Sequence, residues 1–398
     1  LITLLMVSLE QFMHRKNLNE DHKLFRASII EWIEKDVLPN YDQWENDKQI
    51  PREAWKQLGE LGGLCPMAKE QYGGLEGDFL FQTIVTEELA YRACSGLLVA
   101  VHNDLVYPYL EKFGTEAQCK QWIPKMITGE VITGLGMTEP AVGSNLAGIT
   151  TMAVKKGNKY IVNGSKTFIS NGQTADMFVV AVRTSKPGLL SPDPRKGISM
   201  LIIPADAPGF SRGRNLDKIG FHSQDTSELF FQDAEIPVEN LIGEEGSGWL
   251  YMMENLQTER IALAVGAVAA ARGTVDITKE YVQIRKIFGK PVAAFQNTKF
   301  QLAECATDVE VGQSFMDDIL VRHMNNESLV KEVSMAKYWL SDMQFRVADK
   351  CLQLFGGYGY MKEYPISRFW TDARLQRIYG GTNEVMKVLI AQQIGLSK

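Results

Sequence analysis

The chain has 398 residues, enough for a large core and two or three structural regions. Hydrophobic (45%) and charged (23%) contents are ordinary for a soluble globular protein, and a net charge of −6 without a long basic stripe argues against a nucleic-acid-binding role. Five scattered cysteines without a CxxC pair predict reduced thiols, and five dispersed histidines without HExxH leave a metal site unsupported.

The opening Leu1–Met6 stretch is apolar but short and lacks a charged leader, so no secretion signal is expected, with Met6 a candidate initiator. No apolar run reads as long as a membrane span. Asn19 predicts a helix cap with Glu20 and Asp21 in the first turn. Phe25, Ile29, Trp32, Ile33 and Val37 then share one face, and Pro39 is expected to end the segment. Pro51 opens another helix that Gly62-Gly63 closes, and helical texture continues to about Gly129. From about Val131 to Gly243 the texture is β. Tyr160–Ser170 predicts a hairpin turning at Asn163-Gly164, followed by strands at Met177–Val182, Ile198–Ile203 and Leu229–Phe231, with a loop over Pro187–Lys196. Helical period returns at Gly246. Ile261–Ala271 is apolar on every side and must be a buried helix whose small residues allow close packing. Helices, strands, helices is an α+β order, and no strand-GxGxxG-helix unit or GxxxxGK[ST] loop suggests a nucleotide-binding Rossmann or P-loop site.

Two glycine-bearing segments carry the chemistry. Gly136-Met137-Thr138-Glu139-Pro140-Ala141-Val142-Gly143-Ser144-Asn145 forms a tight loop with hydroxyls suited to a heterocycle's polar edge. Gln353-Leu-Phe-Gly356-Gly357-Tyr-Gly, with Arg368 and Asp372 beyond, lets backbone N–H groups approach an anion, and Ile378-Tyr379-Gly380-Gly381-Thr382-Asn383-Glu384 follows. Together, in this order, they resemble the signatures of acyl-CoA dehydrogenases, with Asn145 where that family usually has Asp. The resemblance covers nearly the whole chain. It implies an α+β multi-domain fold: an N-terminal helical domain (1–130), a middle β-barrel domain (131–243) and a C-terminal helical bundle (244–398). It also implies FAD-dependent α,β-dehydrogenation of an acyl-CoA thioester.

That reaction needs a base for the α-proton. Many members carry a glutamate directly after the Ile-Tyr of the last motif, where this chain has Gly380. Leu256-Gln-Thr258-Glu259-Arg260-Ile-Ala-Leu matches the motif of the long-chain and isovaleryl branches, which makes Glu259 the expected base, with a carboxyl desolvated against the apolar helix that follows it. Gly380 would still offer a backbone N–H to the thioester carbonyl. The resemblance further implies FAD contacts from Leu135, Met137, Thr138, Gly143, Ser144, Phe168, Ile169 and Ser170. Across a subunit boundary it implies Arg285, Phe288, Phe295, Gln296, Gln353, Gly356 and Gly357, with Thr382, Asn383 and Glu384 closing the site. Ser144, Thr258, Arg260 and Gly381 are expected on the substrate. The long-chain branch is closest, with isovaleryl or short branched-chain enzymes, an acyl-CoA oxidase and a non-enzymatic CoA-ester binder as alternatives. The implied partners are electron-transferring flavoprotein and further copies of the chain in a homotetramer, in the cytoplasm or the mitochondrial matrix.

Overall fold

In the computed structural model, residues 18–185 and 193–396 are described. Leu1–Met6 and most of the Pro187–Lys196 loop lie outside them. Asn19 caps α1 (Glu20–Trp32) reciprocally: its side chain accepts from the His22 N–H at 2.9 Å, and its own N–H donates to His22 Nδ1 at 3.2 Å. Pro39 does not end this segment. A π-helical turn (Ile33–Val37) leads into α2 (Leu38–Asp47), and Pro39 lies in the first turn of α2, where a missing N–H costs little. Pro51 is the cap residue of α3 (Arg52–Glu60), followed by α4 (Phe79–Tyr91), a second π turn (Val101–Val106), α5 (Tyr107–Phe113) and α6 (Glu116–Ile127).

Eight strands then form one mixed sheet: β1 (Thr133–Gly136), β2 (Met152–Lys156), β3 (Lys159–Ser170), β4 (Met177–Arg183), β5 (Ile198–Pro204), β6 (Phe210–Asn215), β7 (Thr226–Pro237) and β8 (Leu241–Ile242). The order is β6-β7-β3-β2-β4-β5-β8, with β1 parallel to β4. Three strands separate β6 from β4 in that path. Yet Phe210 of β6 reaches Phe178 of β4, ring centroids 5.5 Å apart, so the sheet curls around a shared apolar interior. Asn163-Gly164 is not a turn. Lys156 pairs with Lys159, which places the reversal at Gly157-Asn158, and Asn163-Gly164 marks a register shift inside β3. Gly164 (φ +144°) lies against Thr151, and Asn163 exchanges hydrogen bonds with Asp233 of β7. The dipeptide's positive-φ capacity serves a bulge here.

The C-terminal part packs α7 (Gly248–Ile284), α8 (Gln296–Met324), α9 (Val330–Phe355), α10 (Pro365–Leu375) and α11 (Asn383–Gln393), with a small β9–β10 hairpin (Lys286–Ile287, Lys290–Pro291) after α7. Among the described residues α7 is long and apolar enough to cross a membrane, contrary to the expectation that no run approaches that length. Most of that apolar stretch is buried, in the cluster shared with α4, α8 and α9, and it is the central core helix.

Candidate active site

The glycine loop after β1 is built before any ligand is considered. The Glu139 carboxylate accepts from Thr150 N (2.8 Å), Thr150 Oγ1 (2.6 Å), Thr151 N (2.9 Å) and the fully buried Lys166 ammonium (2.8 Å). Burial alone would raise its pKa, but Lys166 and these donors hold Glu139 at about 2, ionised at any working pH. Lys166 Nζ also donates to Met137 O (3.1 Å), and the Thr167 N–H to Thr138 O (2.9 Å). Arg183 gathers the far end of the loop through Ala147 O and Ile149 O. Beside it, a second register shift in β3 puts Phe168 in the left-handed region (φ +60°), 70% exposed, its ring on the wall of a cleft. A non-glycine residue held there costs roughly 1–2 kcal/mol, a strain typical of ligand-binding positions.

That cleft holds about 1200 Å³ between the curled sheet, α7 and the turn before α11. Met137, Thr138, Gly143, Ser144, Phe168, Ser170, Thr258, Glu259, Arg260, Gly380, Gly381 and Thr382 all line it. Residues some 240 positions apart in the chain thus share one cavity. Leu135 is half-buried on β1 and Ile169 is buried in the barrel interior, and neither lines the cleft.

Glu259 is half-buried on the first third of α7. Burial raises its pKa above the ordinary glutamate value, and Arg260 and Lys337 only partly oppose the shift. Gly380 adopts φ +63°. A Cβ there would lie 3.5 Å from Glu259 Oε1, so the position without a side chain faces the carboxyl. Arg260 Nε donates to Gly380 O (3.3 Å), and the buried Lys337 donates to Gly381 O (2.7 Å). The Gly380 N–H finds no acceptor among the described residues, and Gly380 lines the cleft. Thr382 caps α11 through Val385 N, Asn383 is buried against Lys337, Ser341 and Asp342, and Glu384 is exposed.

A second cavity, about 730 Å³, is lined by Arg285, Phe295, Gln353, Gly356 and Gly357 among others. Side chains at either glycine would meet open space, so the backbone is accessible, and the Arg285 guanidinium lies 5.1 Å over the Tyr358 ring. This suits an anionic group. Gln296 is exposed at the start of α8 and Phe288 projects from the β9–β10 tip at 92% exposure. Arg368 and Asp372 line neither cavity. Arg368 pairs with Asp42 and stacks on Tyr41, and Asp372 accepts from Phe221 N (2.6 Å), so both join the C-terminal helices to the rest.

Sequence reasoning missed Glu139, Lys166 and Lys337. Lys337 had a readable signal: it falls in phase with Val333, Ala336, Leu340 and Met343 on the apolar stripe of α9, where an unpartnered lysine is costly.

Residues 19–130, 134–234 and 246–395 match the family descriptions "Acyl-CoA dehydrogenase, N-terminal domain", "middle domain" and "C-terminal domain". The chain is 42% identical to the mitochondrial long-chain specific acyl-CoA dehydrogenase of Sus scrofa, over 96% of this chain and 88% of that one. The solved acyl-CoA dehydrogenase from Geobacillus kaustophilus superimposes with a TM-score of 0.93 at 49% identity, covering 96% and 100% of the two chains. A structure titled "Electron transferring flavoprotein of Acidaminococcus fermentans: Towards a mechanism of flavin-based electron bifurcation" follows at 0.91 and 33%, covering 96% and 100%. The open loop at Gly143, the exposed ring of Phe168 and the accessible glycine pair fit a flat cofactor with an anionic tail. The chain belongs to the acyl-CoA dehydrogenase family, and it is an oxidoreductase with FAD as its cofactor.

Proposed function

We propose that this enzyme oxidises the α–β bond of a fatty acyl-CoA thioester to the trans-2-enoyl-CoA, with Glu259 as the base. The observation that carries the reading is the pairing of Glu259 with a glycine at 380 across one cleft. FAD, when bound, supplies the hydride acceptor that no side chain can be. Met137, Thr138, Gly143, Ser144, Phe168 and Ser170 would hold its ring, and Arg285 with Gly356-Gly357 its phosphates. Glu259 takes the α-proton onto its carboxylate. The Gly380 N–H donates to the thioester oxygen as negative charge develops there, a contribution worth about 3 kcal/mol for a preorganised donor. Trp249, Met253 and Leu256 of α7 give the cleft an apolar wall that would limit water near that charge.

A long-chain substrate is supported by the 42% identical relative of that name. The separate cavity at Arg285 supports an oligomer in which one copy's Arg285 region completes another's FAD site, a homotetramer being the family expectation. Electron-transferring flavoprotein is the proposed acceptor, and the mitochondrial matrix or the bacterial cytoplasm the proposed location. Anaerobic titration of the yellow holoenzyme with acyl-CoAs of graded length and branching tests the reading. Rapid bleaching by long straight chains supports it, preferential bleaching by isovaleryl-CoA moves it to the branched-chain class, and absence of bleaching by any acyl-CoA overturns it. Hydrogen peroxide formed in air at the dye-linked rate would make the enzyme an oxidase instead.

A further inference from the structure

We propose that Lys337 is a positioning residue of this active site, reaching from the buried face of α9 to fix the backbone at Gly381, next to Gly380. The proposal rests on the reading of Glu259 as base and adds a second helix to the machinery.

Lys337 is 1% exposed. Its ammonium donates to Gly381 O at 2.7 Å and Asn383 Oδ1 at 3.1 Å, and among the described residues it forms no ion pair with a carboxylate. A buried ammonium without a contact counter-ion is expensive, and an apolar side chain in that stripe would serve packing better. What the lysine adds is a charge and a grip. The grip matters because Gly380 and Gly381 both have positive φ (63° and 89°) and no side chains, so little else restrains their peptide planes. Two cations from two helices hold successive carbonyls: Arg260 of α7 on Gly380 and Lys337 of α9 on Gly381. Arg260 thus holds the Gly380–Gly381 peptide plane and Lys337 the Gly381–Thr382 plane, which anchors the chain immediately after the Tyr379–Gly380 peptide that carries the Gly380 N–H.

The charge matters because Lys337 acts on Glu259. The groups facing Lys337 are Arg260 and Glu259 from α7, Glu384 from α11 and Asp342 on α9 itself, the last already paired with Arg377 at 2.6 Å. Burial, then Arg260, lowers Lys337 to about 8, so it is cationic below that pH. Its positive field opposes the burial that raises Glu259. Without it, only Arg260 would oppose the burial that raises Glu259, and the carboxyl would hold its proton to higher pH.

The test compares holoenzymes carrying Lys337→Met, Lys337→Gln and, as control, Glu259→Gln. Three quantities are followed: FAD content, the pH profile of anaerobic flavin reduction by a saturating acyl-CoA, and calorimetric affinity for a 3-ketoacyl-CoA, whose enolate mimics the developing charge. We expect both Lys337 variants to keep FAD, to reduce at least tenfold more slowly at pH 7, and to show the acid limb moved to higher pH. Enolate affinity should fall in parallel. Gln retains a donor to Gly381 O, so it supplies the reading if Met does not fold. A folded Lys337 variant with the acid limb in place and reduction within twofold of wild type overturns the proposal while leaving the base assignment intact. Undiminished reduction by Glu259→Gln overturns the base assignment instead.

Discussion

At Gly380 an added Cβ would lie 3.5 Å from Glu259 Oε1 but 2.3 Å from Leu263 Cδ1. A glutamate placed there would start close to the present carboxyl, and could deliver a base to the same α-carbon only by displacing the tip of Leu263 and accepting φ +63°. Glu259→Gln/Gly380→Glu should therefore regain part of the flavin reduction lost in Glu259→Gln, at a stability cost of about 1–3 kcal/mol that Leu263→Ala partly relieves. Stopped-flow reduction and urea unfolding check the two halves. No recovery in a folded double variant would mean that the two positions do not serve one reacting atom. The residue-level signs were legible in sequence where chemistry is local: Glu259 precedes an all-apolar run and Gly380 replaces an acid. Lys337 escaped because its importance comes from a loop 44 residues onward.

Among the elements, α7 is the axis, and its glycines differ in ways that predict mutational sign. A Cβ on Gly273 would come within 2.0 Å of the Tyr91 carbonyl oxygen of α4, rigid backbone that cannot step aside. On Gly266 it would meet Thr86 Cγ2 at 3.6 Å and Ala90 Cβ at 4.0 Å, both ordinary van der Waals contacts. Gly273→Ala should force the two helices apart and cost at least about 3 kcal/mol, whereas Gly266→Ala should be neutral or gain up to about 1 kcal/mol from helix propensity. Thermal unfolding of both separates packing from propensity. The second π turn carries Asp104, buried, with Oδ1 bonded to Gln82 and burial raising its pKa to about 7. Folding then takes up a proton between about pH 4 and 7, so the group's contribution is full below the unfolded value and lost as pH rises through 7. Asp104→Asn should gain stability relative to wild type across that window and hold the gain at pH 8, measured as urea midpoints. An unchanged difference between pH 4 and 8 would contradict a buried, protonated Asp104. Element types were readable from period and composition, but two breaks were misread for one reason. Pro39 and Asn163-Gly164 are strong local stop signals, and the tertiary structure absorbs them, one behind a π turn and one in a bulge held by Asp233.

Over the whole molecule most of the residues expected to touch FAD divide between two cavities of a single chain, one around Glu259 and one around Arg285, while Leu135, Ile169, Phe288, Gln296, Asn383 and Glu384 line neither. The repeated glycines made both groups visible in sequence, but which residues share a cavity depends on contacts made only in the fold. If the second cavity holds the phosphates of a neighbour's cofactor, Arg285→Ala should weaken FAD retention at least tenfold, since a charge-assisted bond contributes about 1.5–3 kcal/mol. It should also loosen the assembly, read by flavin release and sedimentation together. FAD held as tightly as in wild type would remove Arg285 from the site. The central claim is that one carboxyl, Glu259, starts the reaction in a cleft whose other base position is a glycine. The most direct measurement is the anaerobic rate of flavin bleaching by Glu259→Gln holoenzyme with a saturating long-chain acyl-CoA. A fall of several orders of magnitude with FAD and acyl-CoA binding retained is the predicted result, and a rate close to wild type would contradict it.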